Sequence, residues 1–437
     1  MPFPILDEDS FQQLYGGHLK LKFAQIVFRH GERTPVSMEM TERLSPGLWR
    51  ACQRKPNVAA LGVHQESNPA VTMHPIDIDT IAFQPPFDST GAPTTADMSA
   101  YTEIRNSVGR DDSPPGQLTD KGKASAYRLG SNLRLLYIER LGLVSSTLKK
   151  GYEQELYLRS SDMLRTIESA QYLLSGMYPQ HYRATGSSQA SVQLHVQGVE
   201  NMYPRLRDSR IQTLMAKLIR EATEANMAEI SQALACFSEL GVDALSPRFG
   251  KTYGLYDYLY CMRGDGMDLP AGVTEQDLED LEKALIKMWA SPVFTNHEMV
   301  SITSGSYFQQ LKAQIAARIS GKNELGLALY SAHDTTILSL LNSLGLEQPS
   351  LPPFASVVVI ELLENTHKSL LSAEYYIRVS YNGHHLSFPA SRLSLSVLHR
   401  DARLCTVEDF FSKLDSFDPS GTQHGHAALF SRMFPNV

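Results

Sequence analysis

Three short stretches carry residue types that can act on an anion. Arg29-His30-Gly31-Glu32-Arg33-Thr34-Pro35 sets an imidazole between two guanidinium groups, Arg159 precedes Ser160, Ser161 and Asp162, and His333-Asp334 precedes two threonines. Planar, permanently charged guanidinium groups that converge on one point hold a tetrahedral oxyanion through charge-assisted hydrogen bonds, and phosphate fits that description best. Arg29, Arg33 and Arg159 are the candidates for this clamp. Fixed positive charges also lower the pKa of a nearby imidazole, so His30 would stay neutral and nucleophilic in mildly acidic solution. Gly31 would let the backbone turn tightly beside it. A phosphate monoester further needs a proton for its departing alkoxide; the Asp334 carboxyl would supply it, and His333 would donate to a phosphate oxygen.

Taken singly, such pairs occur often by chance on solvated surfaces. Arg159 alone divides evenly between a structural salt bridge and a ligand contact, and the other two stretches tip it towards contact. Asp162 and Arg165 read as helix-stabilising partners. His384-His385 and His424/His426 have short spacings but no carboxylate or thiol partners nearby, which favours packing or surface roles over metal binding. Cys261 and Met262, among tyrosines, read as packing residues.

For the three stretches to meet, the elements before them must end side by side. Residues 22–29 form an apolar run suited to a buried strand, and residues 155–159 and 326–332 have the same character. Helical spacing follows the last two, with Met163, Ile167, Ala170, Leu174 and Met177 on one face and Ile337, Leu341 and Leu344 on another. Ser160 or Ser161 would cap the first of these. An earlier helix carries Leu129, Leu133 and Leu136, with Thr119 or Asp120 as its cap. Residues 211–243 and 274–289 are helix-like, the second opening on Thr274 with Asp277 in its first turn. Late in the chain, strand patterns end in Asn382-Gly383, a type I′ hairpin signal. Residues 44–115 are rich in Pro, Thr, Ser and Asp without a sustained period, which predicts an irregular path with at most short helices. The expected organisation is an α/β core from residues 18–45, 115–205 and 320–437, an irregular excursion over the site from 46–114, and a mostly helical cap inserted at 206–319. Ligands of such sheets bind beyond the carboxyl ends of the strands, where the three stretches lie.

Composition narrows the partners. The 437 residues hold 40 basic and 47 acidic side chains, a balance of −7 that offers no global attraction to nucleic acid or anionic membrane. Cys52, Cys236, Cys261 and Cys405 lie far apart, so free thiols are expected rather than a zinc site. The start of the chain carries neither a secretory nor a transit pattern, and no apolar run is long enough to span a membrane. A cytoplasmic protein is the expectation, or a mitochondrial one if a leader is missing from this chain.

The three stretches together, RHGERTP, RSSD and SAHDTT, resemble the histidine acid phosphatases of the histidine phosphatase superfamily, from about Lys20 to Pro389. The resemblance implies that fold, a mixed-sheet core with flanking helices and an inserted helical cap. It implies His30 as the residue that becomes phosphorylated, Arg29, Arg33 and Arg159 as phosphate ligands, and the pair His333 and Asp334. It implies no metal or organic cofactor, and a small-molecule phosphomonoester as partner. GQLTDKG, YGLYDYLYCMRGDGMDLP and PPFASVVVIEL are most similar to the branch that includes lysophosphatidic acid phosphatase, whereas the phytase-containing secreted branch is usually disulfide-stapled. The expected substrate is therefore lysophosphatidic acid-like or another small alkyl phosphate, with an inositol phosphate as the alternative. The phosphoglycerate mutase group, a wider relative, shares the short RHG element and the phosphohistidine intermediate but takes its acid from a glutamate elsewhere, so Arg33 and the His333-Asp334 pair favour the phosphatases. A non-catalytic phosphoinositide- or lipid-binding module would need the arginines but not His30 and Asp334. Glu32, in the variable position of the motif, is expected to face away from the site.

Overall fold

The computed structural model describes residues 3–37, 40, 44, 115–184, 200–204, 208–240, 248–346, 348–367, 373–388 and 401–419, with the backbone of 71–77 and 189–195. Its centre is a nine-stranded mixed sheet. Strand β1 (Leu19–Arg29) lies between β5 (Leu327–Ala332), parallel to it, and β6 (Val357–Asn365), antiparallel. Beyond β5 come β3 (Leu156–Ser161) and β4 (Gln189–His195), both parallel, and then β2 (Val71–Asp77), antiparallel to β4 at the edge. Beyond β6 come β7 (Tyr375–Tyr381) and its antiparallel partners β8 (His384–His385) and β9 (Leu404–Thr406). The strands that precede the three chemical stretches, β1, β3 and β5, are thus direct parallel neighbours. Asn382 and Gly383 both have positive φ, 50° and 82°, as the type I′ turn between β7 and β8 demands.

Strand alternation divides the core into two layers. Ala24, Ile26 and Phe28 of β1 face one side with Leu156, Leu158, Leu327 and Leu329. That side is covered by α1 (Glu8–Tyr15), through Phe11 and Tyr15, and by α2 (Asp120–Leu133) and α3 (Leu164–Met177). The last two helices cross closely, since a Cβ on Gly130 would meet the Leu173 carbonyl oxygen at 1.9 Å and one on Gly176 would meet that of Tyr127 at 2.0 Å. Phe23 and Val27 face the other side with Ala328 and Tyr330. There the cover is α8 (His297–Ile319), α9 (Asp334–Leu344) and α10 (Val407–Asp415).

A third apolar cluster joins α4 (Ser209–Ala225), α5 (Met227–Ala235), α6 (Phe249–Asp265) and α7 (Glu275–Leu285) into the helical cap. Thr274 and Asp277 form a reciprocal capping box at the start of α7.

Three local expectations differ from what is found. Residues 71–77, inside the stretch read as irregular, form β2; its Pro75 is tolerated because an edge strand can spare a backbone donor. The first residues of α8 belong to the cap, but Tyr307, Phe308, Leu311 and Ile315 pack on the sheet, so the change from cap to core falls within α8 rather than at its end, where the expected boundary at 319 lies. The α3 cap position is Met163, with no side-chain bond, rather than Ser160 or Ser161. Thr119, by contrast, caps α2 by accepting from the Gly122 amide at 3.2 Å. Among the described residues, no helix is long and apolar enough to cross a membrane.

Candidate active site

The chain leaves β1 under tight control. His30 N donates to the Ala332 carbonyl at 3.1 Å and His30 O accepts from Ala355 N at 3.0 Å. The Gly31 amide donates to Ser169 Oγ of α3 at 3.1 Å. Gly31 is required for space rather than for the tight turn expected, because a Cβ there would lie 2.2 Å from the Gly122 carbonyl oxygen at the start of α2.

His30 is 2% exposed, and its Nδ1 lies 2.8 Å from its neighbour's carbonyl, Gly31 O. A carbonyl can only accept, so Nδ1 carries the proton and the Nε2 lone pair is left for another task. Burial pushes the imidazole pKa well below its ordinary value, and Arg165, Arg29, Arg33 and His333 push it further.

Arg29 sits with Nη2 2.9 Å from Asp334 Oδ2 and donates through Nη1 to Pro352 O at 2.5 Å. Its guanidinium carbon lies 4.4 Å from the Phe354 ring centre. Arg33 donates through Nη2 to Asp257 Oδ1 of α6 at 2.7 Å, and Asp257 Oδ2 accepts from Val36 N at 2.7 Å. One cap carboxylate thus holds both Arg33 and the loop beyond it.

Asp334 opens α9, with Oδ1 accepting from Thr335 N at 2.7 Å, so its carboxylate lies at the positive end of the helix. The His333 Nε2 is 2.7 Å from Ser161 Oγ at the end of β3. Its ring centre is 5.6 Å from that of His30 and 4.6 Å from that of Tyr203. Burial, then Arg165, Arg29 and Arg33, lower its pKa well below the ordinary value.

Arg29, His30, Arg33, His333 and Asp334 therefore come together as expected, and Arg159 does not. It shares the β3 face of Tyr157 and points to the α8 side of the sheet, where its guanidinium donates to Gln310, Glu200 and Asn201. The cation that takes its place is Arg165, in the first turn of α3, which acts on both imidazoles. Among the described residues, the Arg165 side chain makes no hydrogen bond or ion pair; its Nε is buried without a partner, and burial and Arg33 push its pKa down to about 10. A cation held in this way is a site for an anion.

Glu32, expected to face away from the site as an exposed or ion-paired residue, is half-buried. Its Oε2 is buried without a partner, and burial raises its pKa. Asp162 is exposed, as is His384, while His385 is half-buried. His424, His426 and Cys52 lie outside the described residues. Cys236, Cys261 and Cys405 are free, and among the described residues no three of His, Cys, Asp or Glu gather to hold a metal ion.

A neutral imidazole with a free Nε2, three guanidinium groups and a carboxyl at a helix N-terminus can bind a phosphoryl group, accept it on nitrogen and supply a proton. Comparison with known proteins agrees with this chemistry. The chain is 27% identical to a probable acid phosphatase of Schizosaccharomyces pombe over 363 residues, covering 80% of this chain and 74% of that one. It is 24% identical to lysophosphatidic acid phosphatase type 6 of Mus musculus over 379 residues, 84% of this chain and 79% of that one. The phytase of Citrobacter braakii shares the fold, with a TM-score of 0.57 and 14% identity over 91% of this chain and 98% of its own. The model of the histidine phosphatase superfamily, branch 2, matches residues 20–209 and 190–382, and the chain belongs to that family.

Proposed function

We propose that this acid phosphatase works through a phosphohistidine on His30 and that its substrate is a small alkyl phosphomonoester of the lysophosphatidic acid type. Nε2 of His30 attacks phosphorus, the P–O bond to the alcohol breaks, and Asp334 gives its carboxyl proton to the leaving alkoxide. Water then attacks the phosphohistidine, returns a proton to Asp334 and releases inorganic phosphate. Arg29, Arg33 and Arg165 hold the equatorial oxygens, and His333 donates to one of them. The observation that carries this reading is the locked tautomer of His30 among three cations, one of which, Arg165, has its Nε buried without a hydrogen-bond partner among the described residues.

Two observations support the substrate class: similarity to a phosphatase named for lysophosphatidic acid, and the aromatic surroundings of the site. Phe354 and Tyr260 pack against each other at a tilt beside Arg29, and Tyr253 and Tyr203 neighbour Asp334 and Arg33. Rings of this kind suit an amphipathic alcohol better than a highly phosphorylated one.

Rapid acid-free quenching with ³²P-labelled substrate tests the reading. Label should appear on a base-stable, acid-labile histidine adduct, and His30→Ala should carry none while retaining weak phosphate binding. Turnover by His30→Ala above a few per cent would remove His30 as nucleophile. In a panel of lysophosphatidic acid, phytate, sugar phosphates and an aryl phosphate, a higher kcat/KM for phytate than for lysophosphatidic acid would overturn the substrate assignment.

A further inference from the structure

Arg159 has no part in the site itself, yet its surroundings show a task. The side chain is fully buried and anchored to α8 through Gln310 Oε1. Its Nη2 donates to Glu200 Oε1 at 3.0 Å and to Asn201 Oδ1 at 2.6 Å. The same Glu200 oxygen accepts from the amides of Asn201 at 2.9 Å and Met202 at 2.7 Å. Asn201 Nδ2 adds a bond to Ser306 Oγ of α8 at 3.2 Å. One guanidinium and one carboxylate thus fix the backbone of residues 200–202.

The far end of this segment reaches the site. The Met202 carbonyl accepts from the Thr336 hydroxyl, and Thr336 Oγ1 accepts from His333 N at 3.3 Å. Tyr203 follows directly, its ring against the His333 imidazole. A continuous chain of bonded groups therefore runs from the end of β3, through residues 200–203, to the first turn of α9.

We infer that Arg159 and Glu200 are a positioning pair, which sets His333 and the start of α9 against the phosphate through residues 200–203 without touching substrate. The inference rests on the reading that His333 and Asp334 take part in turnover. Buried ion pairs are poor stabilisers relative to apolar packing, and their better-attested use is to specify one geometry. The planar fork of Arg159 reaches three acceptors in fixed directions, which a lysine ammonium cannot reproduce.

The test uses Arg159→Lys, Glu200→Gln and the near-isosteric Thr336→Val, each in the full chain. Four quantities are read: kcat and KM for 4-nitrophenyl phosphate, the inhibition constant of inorganic phosphate, and the ring ¹⁵N resonances of His333, assigned through His333→Asn. A misplacement of about 1 Å costs up to about 100-fold in rate, so kcat should fall about 10- to 100-fold. KM and the phosphate inhibition constant should move less than about threefold, because Arg29, Arg33 and Arg165 are untouched. The His333 resonances should shift, and the Arg159→Lys/Thr336→Val double variant should be no slower than its worse parent, since both cut one tether.

A lower Tm with unchanged kcat would make the pair merely structural and overturn the inference. A fall in kcat with unmoved His333 resonances would overturn it too. Shifted resonances with unchanged kcat would instead reject the part given to His333 in turnover, a failure of the underlying reading. If the charge variants do not fold, Thr336→Val decides alone, and unchanged kcat and resonances in it reject the inference.

Discussion

A cation in the first turn of a helix faces the positive end of the helix dipole and is penalised there by a few tenths of a kcal/mol to about 1 kcal/mol. Arg165 occupies that position in α3 with no acidic residue beside it in the first turn, and this is the signal in the sequence that would have separated it from Arg159. Arg159 misled because β3 is buried on both faces, so its residue types do not alternate and do not reveal which face opens on the site. Arg165→Ala should weaken vanadate and phosphate inhibition by about 10- to 100-fold, the worth of one charge-assisted contact of roughly 1.5–3 kcal/mol. Inhibition constants within twofold of the parent would show that the cation serves α3 alone. Asp334→Asn should slow phosphorylation by alkyl phosphates about 10²–10⁴-fold and by a nitrophenyl phosphate far less, because only the alkoxide needs a proton. Equal losses for the two esters, measured by rapid quench, would leave Asp334 an orienting residue for Arg29.

At the scale of elements, α2 and α3 meet over a buried carboxyl whose cost depends on pH. Glu168 of α3 is 3% exposed with Oε2 unpartnered, and burial raises its pKa to about 7, opposed by Lys123. The unfolded chain releases this proton near the ordinary value of 4.5. Between those two values the folded state binds more protons than the unfolded one, so stability falls as pH rises through the window and the loss is complete above it. Glu168→Gln should therefore raise stability at pH 8 by on the order of 1–3 kcal/mol and leave it nearly unchanged at pH 4. A denaturant titration giving the same difference at both pH values would reject this account. Elements announced by pattern were legible: the three parallel strands, the Thr119 and Thr274 caps and the Asn382-Gly383 turn. Strand β2 was not, since Pro75 and the polar residues around it mask an edge strand. The close approach of Gly31 to Gly122 was not legible either, because it joins residues from two elements and leaves no periodic trace.

Across the whole molecule, core and cap share the proposed phosphate site rather than merely abutting. Asp257 of α6 orients Arg33, and Tyr260 of α6 lies against both Arg29 and Phe354. A ligand that binds only the native site at 100 times its Kd stabilises by about 2.7 kcal/mol, and that gain should reach both parts together. Inorganic phosphate should raise Tm in a single calorimetric transition; a cap transition that stays put while the core moves would show the two parts to be uncoupled. The topology also sets a timetable for synthesis. The strand that leads into His30 is made before its partners β5 and β6, which begin only at Leu327 and Val357, roughly 300 residues later. At about 5–20 residues per second, that apolar strand waits roughly 15–60 s without either neighbour. The nascent chain therefore carries an apolar strand unpaired over that interval, and a message that stops short of Leu327 yields the proposed nucleophile, His30, with neither neighbouring strand.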